Sequence, residues 1–187
     1  VLSMIISLII AIPVGVISAT RQDRPIDYLG RLVAIVGLSV PNFFVGTALL
    51  VYLSLLFHWI PPMGYVPVLK DPGKNLQQFI LPAIAMGAFL AGSVMRMTRS
   101  SLLEVLRQDY VRTAWSKGLR ERMVIVRHAL KNAMIPVLTV LGNQFGYLLG
   151  GTVIIETIFA LPGIGRLTFD SIMQRDYPQL QGNVLFI

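Results

Sequence analysis

Apolar positions in this chain gather into long uninterrupted blocks instead of alternating with polar ones at the short periods of a soluble helix or strand. Val1 to Thr20 carries no charge in 20 positions and stops at Arg21. Leu32 to Ile60 carries none in 29, Leu76 to Met95 none in 20, and Asn132 to Ile155 none in 24. A bilayer core about 30 Å thick is crossed by roughly 20 apolar residues in a helix, so each block predicts one span. Pro41 stands where a kink or a helix start is natural, which places the beginning of the second span near it. Gly182 to Ile187 reads as the opening of a fifth. Four such blocks in 187 residues leave too little polar chain to cover them in a soluble protein. The predicted class is therefore all-α, a polytopic transmembrane helix bundle with four full spans and the start of another.

The first block differs from a signal peptide in lacking an initiator Met and a basic lead, and in outrunning the roughly 7–15 apolar residues of such a leader. The chain also ends inside an apolar block. The expectation is one transmembrane domain, 1–187, truncated at both ends.

Charge adds the orientation. Only 13% of residues are charged, yet the net charge is +7, which in a soluble protein would suggest nucleic acid. Four spans put 21–31 and 96–131 on one side, and 61–75 and 156–181 on the other. Twelve of the 16 Lys and Arg lie on the first side, and acidic residues divide evenly enough that the whole net charge lies there too. The excess marks that side as cytoplasmic. No nucleic-acid partner is needed to explain it.

The cytoplasmic segment 96–131 holds nine cations and a pattern of its own. Leu103, Leu106, Tyr110 and Ala114 recur at helical spacing, with Glu104, Arg107, Gln108 and Arg112 opposite, which predicts an amphipathic helix from Ser101 to Trp115. Ser100 or Ser101 would cap it, Glu104 standing at capping-box spacing from Ser101. Gly118 interrupts, and a second basic amphipathic stretch, Arg120 to Lys131, leads into the next span. A loop that merely meets anionic lipid, a DNA-binding helix-turn-helix, and a docking element for a cytoplasmic partner all share this outline. Tethering at both ends disfavours entry into a DNA groove.

Asp109-Tyr-Val-Arg-Thr-Ala-Trp-Ser-Lys-Gly118 followed by Val126-Arg-His-Ala-Leu-Lys-Asn-Ala-Met-Ile-Pro136 resembles the coupling loop of ABC importer permeases of type I architecture. The likeness is strongest to the dipeptide/oligopeptide/nickel branch, which includes glutathione importers. Gly150-Gly-Thr-Val-Ile-Ile-Glu-Thr-Ile-Phe-Ala-Leu-Pro-Gly-Ile-Gly-Arg166 and Arg175-Asp-Tyr-Pro-Gln-Leu-Gln-Gly182 are similar to the same branch. The general Glu-Ala-Ala…Gly signature falls on Arg112, Thr113, Ala114 and Gly118. Arg112 and Thr113 depart from it, as does Lys131 where its closing Pro would stand, and Arg-Thr-Ala is usual in the peptide branch. The resemblance implies that Arg112, Thr113, Ala114, Trp115, Ser116, Lys117 and Gly118 seat in a groove of a cytoplasmic ATPase subunit. It also implies a second permease subunit, an extracytoplasmic solute-binding protein and a location in the bacterial inner membrane. Transport would proceed by alternating access.

Other features bear on that picture. The sequence has no GxxxxGK[ST], so no P-loop binds ATP in this chain, and ATP belongs to a partner subunit. No ionisable residue lies well inside the four blocks, which argues against a proton-driven carrier. A secondary carrier or channel without an ATPase, and a membrane anchor with a basic scaffold loop, are the rival readings. Gly142, Gly146 and Gly150 recur every four residues and form a small-residue packing stripe, within one subunit or against another. Asn143 and Gln144 either face the pathway or bond to a neighbour. In 156–181, Leu161 to Gly165 is a turn, and Arg166 to Arg175 predicts a short interfacial helix with Leu167, Ile172 and Met173 on its apolar side. The sequence brings together no catalytic set, and His58 and His128 have no metal-ligand spacing, so no catalytic, cofactor or metal residues are assigned.

Overall fold

The computed structural model describes residues 1–62, 64–150 and 152–186. Gly151, in the third of the motifs above, and Ile187, ending the fifth apolar block, lie outside them. The described residues form ten α-helices and one π-helical turn, with no strand among them. They divide into two compact units, 1–4 with 40–88 and 144–187, and 5–39 with 89–143.

The second of these units is built on α1 (Leu2–Thr20), α2 (Pro25–Ser39) and the later part of α4 (Pro72–Leu106). Glycines let these helices approach backbone to backbone. A Cβ on Gly15 of α1 would lie 2.8 Å from Thr98 Cβ of α4. One on Gly92 of α4 would lie 2.6 Å from Leu38 of α2 and 2.9 Å from the Ala34 carbonyl oxygen. Real Cβ contacts are not that short, so neither site admits even alanine without movement. From Leu106 the chain turns into α5 (Asp109–Ser116), α6 (Glu121–Met123), a π-helical turn (Val124–Ala129) and α7 (Leu130–Leu149). Their shared core is Ala19, Leu102, Val111, Ala114, Val124, Ala129 and Ala133.

The expected single helix from Ser101 to Trp115 is in fact two. α4 runs straight through Ser100 and Ser101, which therefore cap nothing, and ends at Leu106. Arg107 and Gln108 donate to the carbonyls of Glu104 and Val105, a tightened last turn, before Gln108 goes extended. The break changes which side chains face inward. Val111 and Ala114 enter the core, and Tyr110 is left 43% exposed, its hydroxyl accepting a 2.7 Å bond from Asn132. Burial of the Val111 face decides against the unbroken helix.

The other unit holds α3 (Asn42–Phe57), the start of α4, the end of α7, α8 (Val153–Ile158), α9 (Ile164–Gln174) and α10 (Tyr177–Phe186). The second apolar block is broken at Val40–Pro41, and α3 begins directly after that proline. Asp71 caps α4 by accepting the Lys74 N–H at 3.0 Å, with Pro72 at the first helical position, where its missing N–H costs nothing. The buried Gln78 side chain then accepts the Val66 N–H and donates to the carbonyls of Pro62 and Gly64, folding the preceding loop onto α4. α7 stops at Leu149, short of the expected span end at Ile155, and α8 follows as a separate short helix.

Candidate functional site

α5 and the turn after it present the seven residues singled out from the sequence in two different ways. Ala114 is an anchor, 7% exposed and packed with Val111 in the core. Arg112, Thr113, Trp115, Ser116, Lys117 and Gly118 are exposed. Thr113 and Ser116 turn their hydroxyls back to the carbonyls of Asp109 and Arg112, four residues earlier. Arg112 lies 3.6 Å from the Asp109 carboxylate, a solvent-facing pair that adds little. Gly118 closes the helix in the left-handed region at φ 76°, which glycine adopts without strain. The product is a two-turn helix seated by Val111 and Ala114, with a polar, cationic outer face. Beside it Trp115, Arg107, Glu121 and Thr20 line a recess of about 300 Å³.

One helical turn before Leu102, where α5 rests, stands a buried charge cluster. Asp27 of α2 is fully buried. Arg99 of α4 grips it with both ends of its fork, Nε to Oδ1 at 2.7 Å and Nη2 to Oδ2 at 2.8 Å. Ser18 of α1 donates its hydroxyl to Oδ1, the Asp23 N–H donates to Oδ2 at 3.0 Å, and Arg31 Nη2 lies 3.6 Å away. Three helices thus meet on one carboxylate. By sequence Arg99 is one more cytoplasmic cation. In the fold it is neutralised, by a partner 72 residues away that sequence spacing gives no reason to connect.

The family described as binding-protein-dependent transport system inner membrane components matches residues 11–187. The chain belongs to this family. Its permease fold is all-α and polytopic, as expected from the apolar blocks. A Brucella suis biovar 1 protein, provisionally named a peptide transport system permease protein, is 44% identical over 186 residues, which is 100% of this chain and 59% of that protein. The glutathione transport system permease protein GsiC of Salmonella paratyphi A is 42% identical over 183 residues, 98% of this chain and 57% of its own length. GsiC of Salmonella typhimurium gives the same figures. The chain spans about three fifths of the length of these relatives.

The other unit contains a second motif singled out from the sequence, whose residues the structure explains. Glu156, the acidic residue of α8, reaches its Oε2 to the Arg166 N–H at 2.7 Å and its Oε1 to the Thr152 N–H at 3.2 Å. It therefore caps the starts of both α9 and α8 with one carboxylate. A Cβ on Gly163 would overlap the Glu156 carboxyl carbon. The glycine of Leu-Pro-Gly-Ile-Gly is there because the capping carboxyl occupies the space of its side chain. α9 leaves Leu167, Ile172 and Met173 exposed, and a recess of about 800 Å³ bounded by Tyr65, Arg166, Asp170 and Phe186 lies beside it.

The glycine stripe is less uniform than its spacing. A Cβ on Gly142 or Gly146 would meet no described atom within 4 Å, while Gly150 lies just beyond the end of α7. Asn143 is exposed and Gln144 half-buried.

Proposed function

We propose that this chain belongs to the membrane-spanning subunit of an ATP-driven importer of peptides or related small solutes. ATP would be bound and hydrolysed on cytoplasmic partner subunits, with a second permease and an extracytoplasmic solute-binding protein completing the assembly. The observation that carries the reading is α5, a short helix anchored by Val111 and Ala114 whose exposed Arg112–Lys117 face has the form a docking element requires. Family membership supports the transport role, and the relatives named for peptide and glutathione transport support the solute class. The positive-inside bias supports a cytoplasmic 96–131 and a multi-pass inner-membrane location. Closure of the ATPases would pull on α5 and reorient the spans in alternating access.

The chain has no Cys, so a thiol introduced into it is the only one among these 187 residues. In the full-length transporter with its partner subunits, Ser116→Cys should cross-link to a thiol placed in the facing groove of the ATPase subunit, with a yield that changes on adding ATP. Ser116 is chosen over Ala114 because Ala114 is buried. Solute uptake at the full rate in vesicles that lack the ATPase subunits would establish a secondary carrier or channel and overturn the proposal.

A further inference from the structure

A buried ion pair is on balance no more stabilising than apolar side chains of the same volume. The Asp27–Arg99 pair therefore needs a reason beyond stability. Its location supplies one. Leu102, one turn along α4 from Arg99, packs in the same core as Val111 and Ala114 of α5. Displacement of α5 enters α4 there, alongside the contact the same core makes with Ala19 of α1. From Arg99 the contacts divide, to α2 through Asp27 and to α1 through the Ser18 hydroxyl on the same carboxylate.

The packing around the pair is that of a rigid joint. Gly15 faces Thr98, the neighbour of Arg99, and a Cβ on Gly30 of α2 would lie 3.3 Å from the Ser18 hydroxyl oxygen. Backbones this close leave room for only a small polar junction, in which both carboxylate oxygens are engaged. The Arg99 side chain keeps 21% of its surface exposed, so one side of the junction still reaches solvent.

We infer that Asp27 and Arg99 are a positioning pair, the link that makes α1, α2 and α4 move together when α5 is driven. The inference rests on the ATP-driven reading above for its source of motion, but not for the link itself. The role of the pair is transmission.

The test uses the complete transporter in proteoliposomes, with ATP hydrolysis and solute uptake measured on the same vesicles. Asp27→Asn keeps the shape and the Ser18 contact and removes the charge that Arg99 grips. Uptake per ATP hydrolysed should fall about tenfold, with hydrolysis itself within about twofold of wild type. Arg99→Lys, which keeps the charge and loses the fork, should recover part of that ratio. Ser18→Ala, which leaves the ion pair whole, should lower the ratio about threefold and serves if Asp27→Asn does not assemble. Loss of uptake and hydrolysis in equal proportion would mean a purely structural role and overturns the inference, as does a normal ratio in Asp27→Asn. Wild-type uptake that needs no ATP would instead overturn the functional reading. The link is then decided by spin labels at Gln22→Cys and Ser116→Cys. Their separation distribution should broaden in Asp27→Asn, and an unchanged distribution refutes the link.

Discussion

Asp27 and Glu156 both turn their carboxylates inward, and they are satisfied by opposite means. Asp27 draws its partners from three helices, the decisive one 72 residues away. Glu156 draws its own from backbone N–H groups four and ten residues away, within the stretch 152–166. Asp27 meets a full opposite charge in a buried place, so each partner is a liability without the other. Glu156 is half-buried and meets only the partial charge of two helix starts, which water could replace in part. The first arrangement joins distant segments. The second shapes a local corner.

That contrast predicts an order of effects. Arg99→Met leaves the fully buried Asp27 carboxylate with only the more distant Arg31, at 3.6 Å, and should destabilise the protein by about 3 kcal/mol, read as a lowered Tm of the purified protein in detergent. A shift smaller than that of any Glu156 variant would erase the distinction. Gly163→Ala drives a methyl group into the Glu156 carboxyl and should cost about 2 kcal/mol. Because the clash and the cap involve one side chain, adding Glu156→Ala to Gly163→Ala should restore part of the loss, and simple additivity would show the two are independent. Glu156→Gln, which keeps an acceptor for at least one N–H, should cost about 1 kcal/mol by the same measurement.

The membrane class and the helical content are readable in the sequence because the length of an apolar block is a direct consequence of bilayer thickness. Where helices end is less so. α4 outruns the block Leu76 to Met95 because nothing after Met95 breaks a helix, and charged side chains there are as compatible with helix as apolar ones. The break at Arg107–Gln108 contains neither Gly nor Pro and follows from burying Val111, a tertiary gain that local periodicity cannot register. Gly118 is legible because a positive φ has a residue preference of its own. Of the residues proposed for coupling, the motif marks 112–118 as one segment but not that Ala114 alone among them turns inward, and helical spacing places Tyr110 in the core position that Val111 holds. Asp27 and Arg99 are both visible as charges and invisible as a pair. Glu156 leaves a trace in Gly163 and Gly165, at either of which a Cβ would meet its carboxylate.

The π turn at Val124–Ala129 has a consequence for how such sequences compare. There the Leu130 N–H bonds to the Ile125 carbonyl, five residues back instead of four, so the turn holds one residue more than an α-helix of the same rise. Removing a single residue between 124 and 129 would let the turn close to ordinary α pitch and leave the helices on either side in phase. Relatives can therefore differ by one residue at this point without redirecting α7, whereas the same deletion a turn later would rotate every side chain that follows.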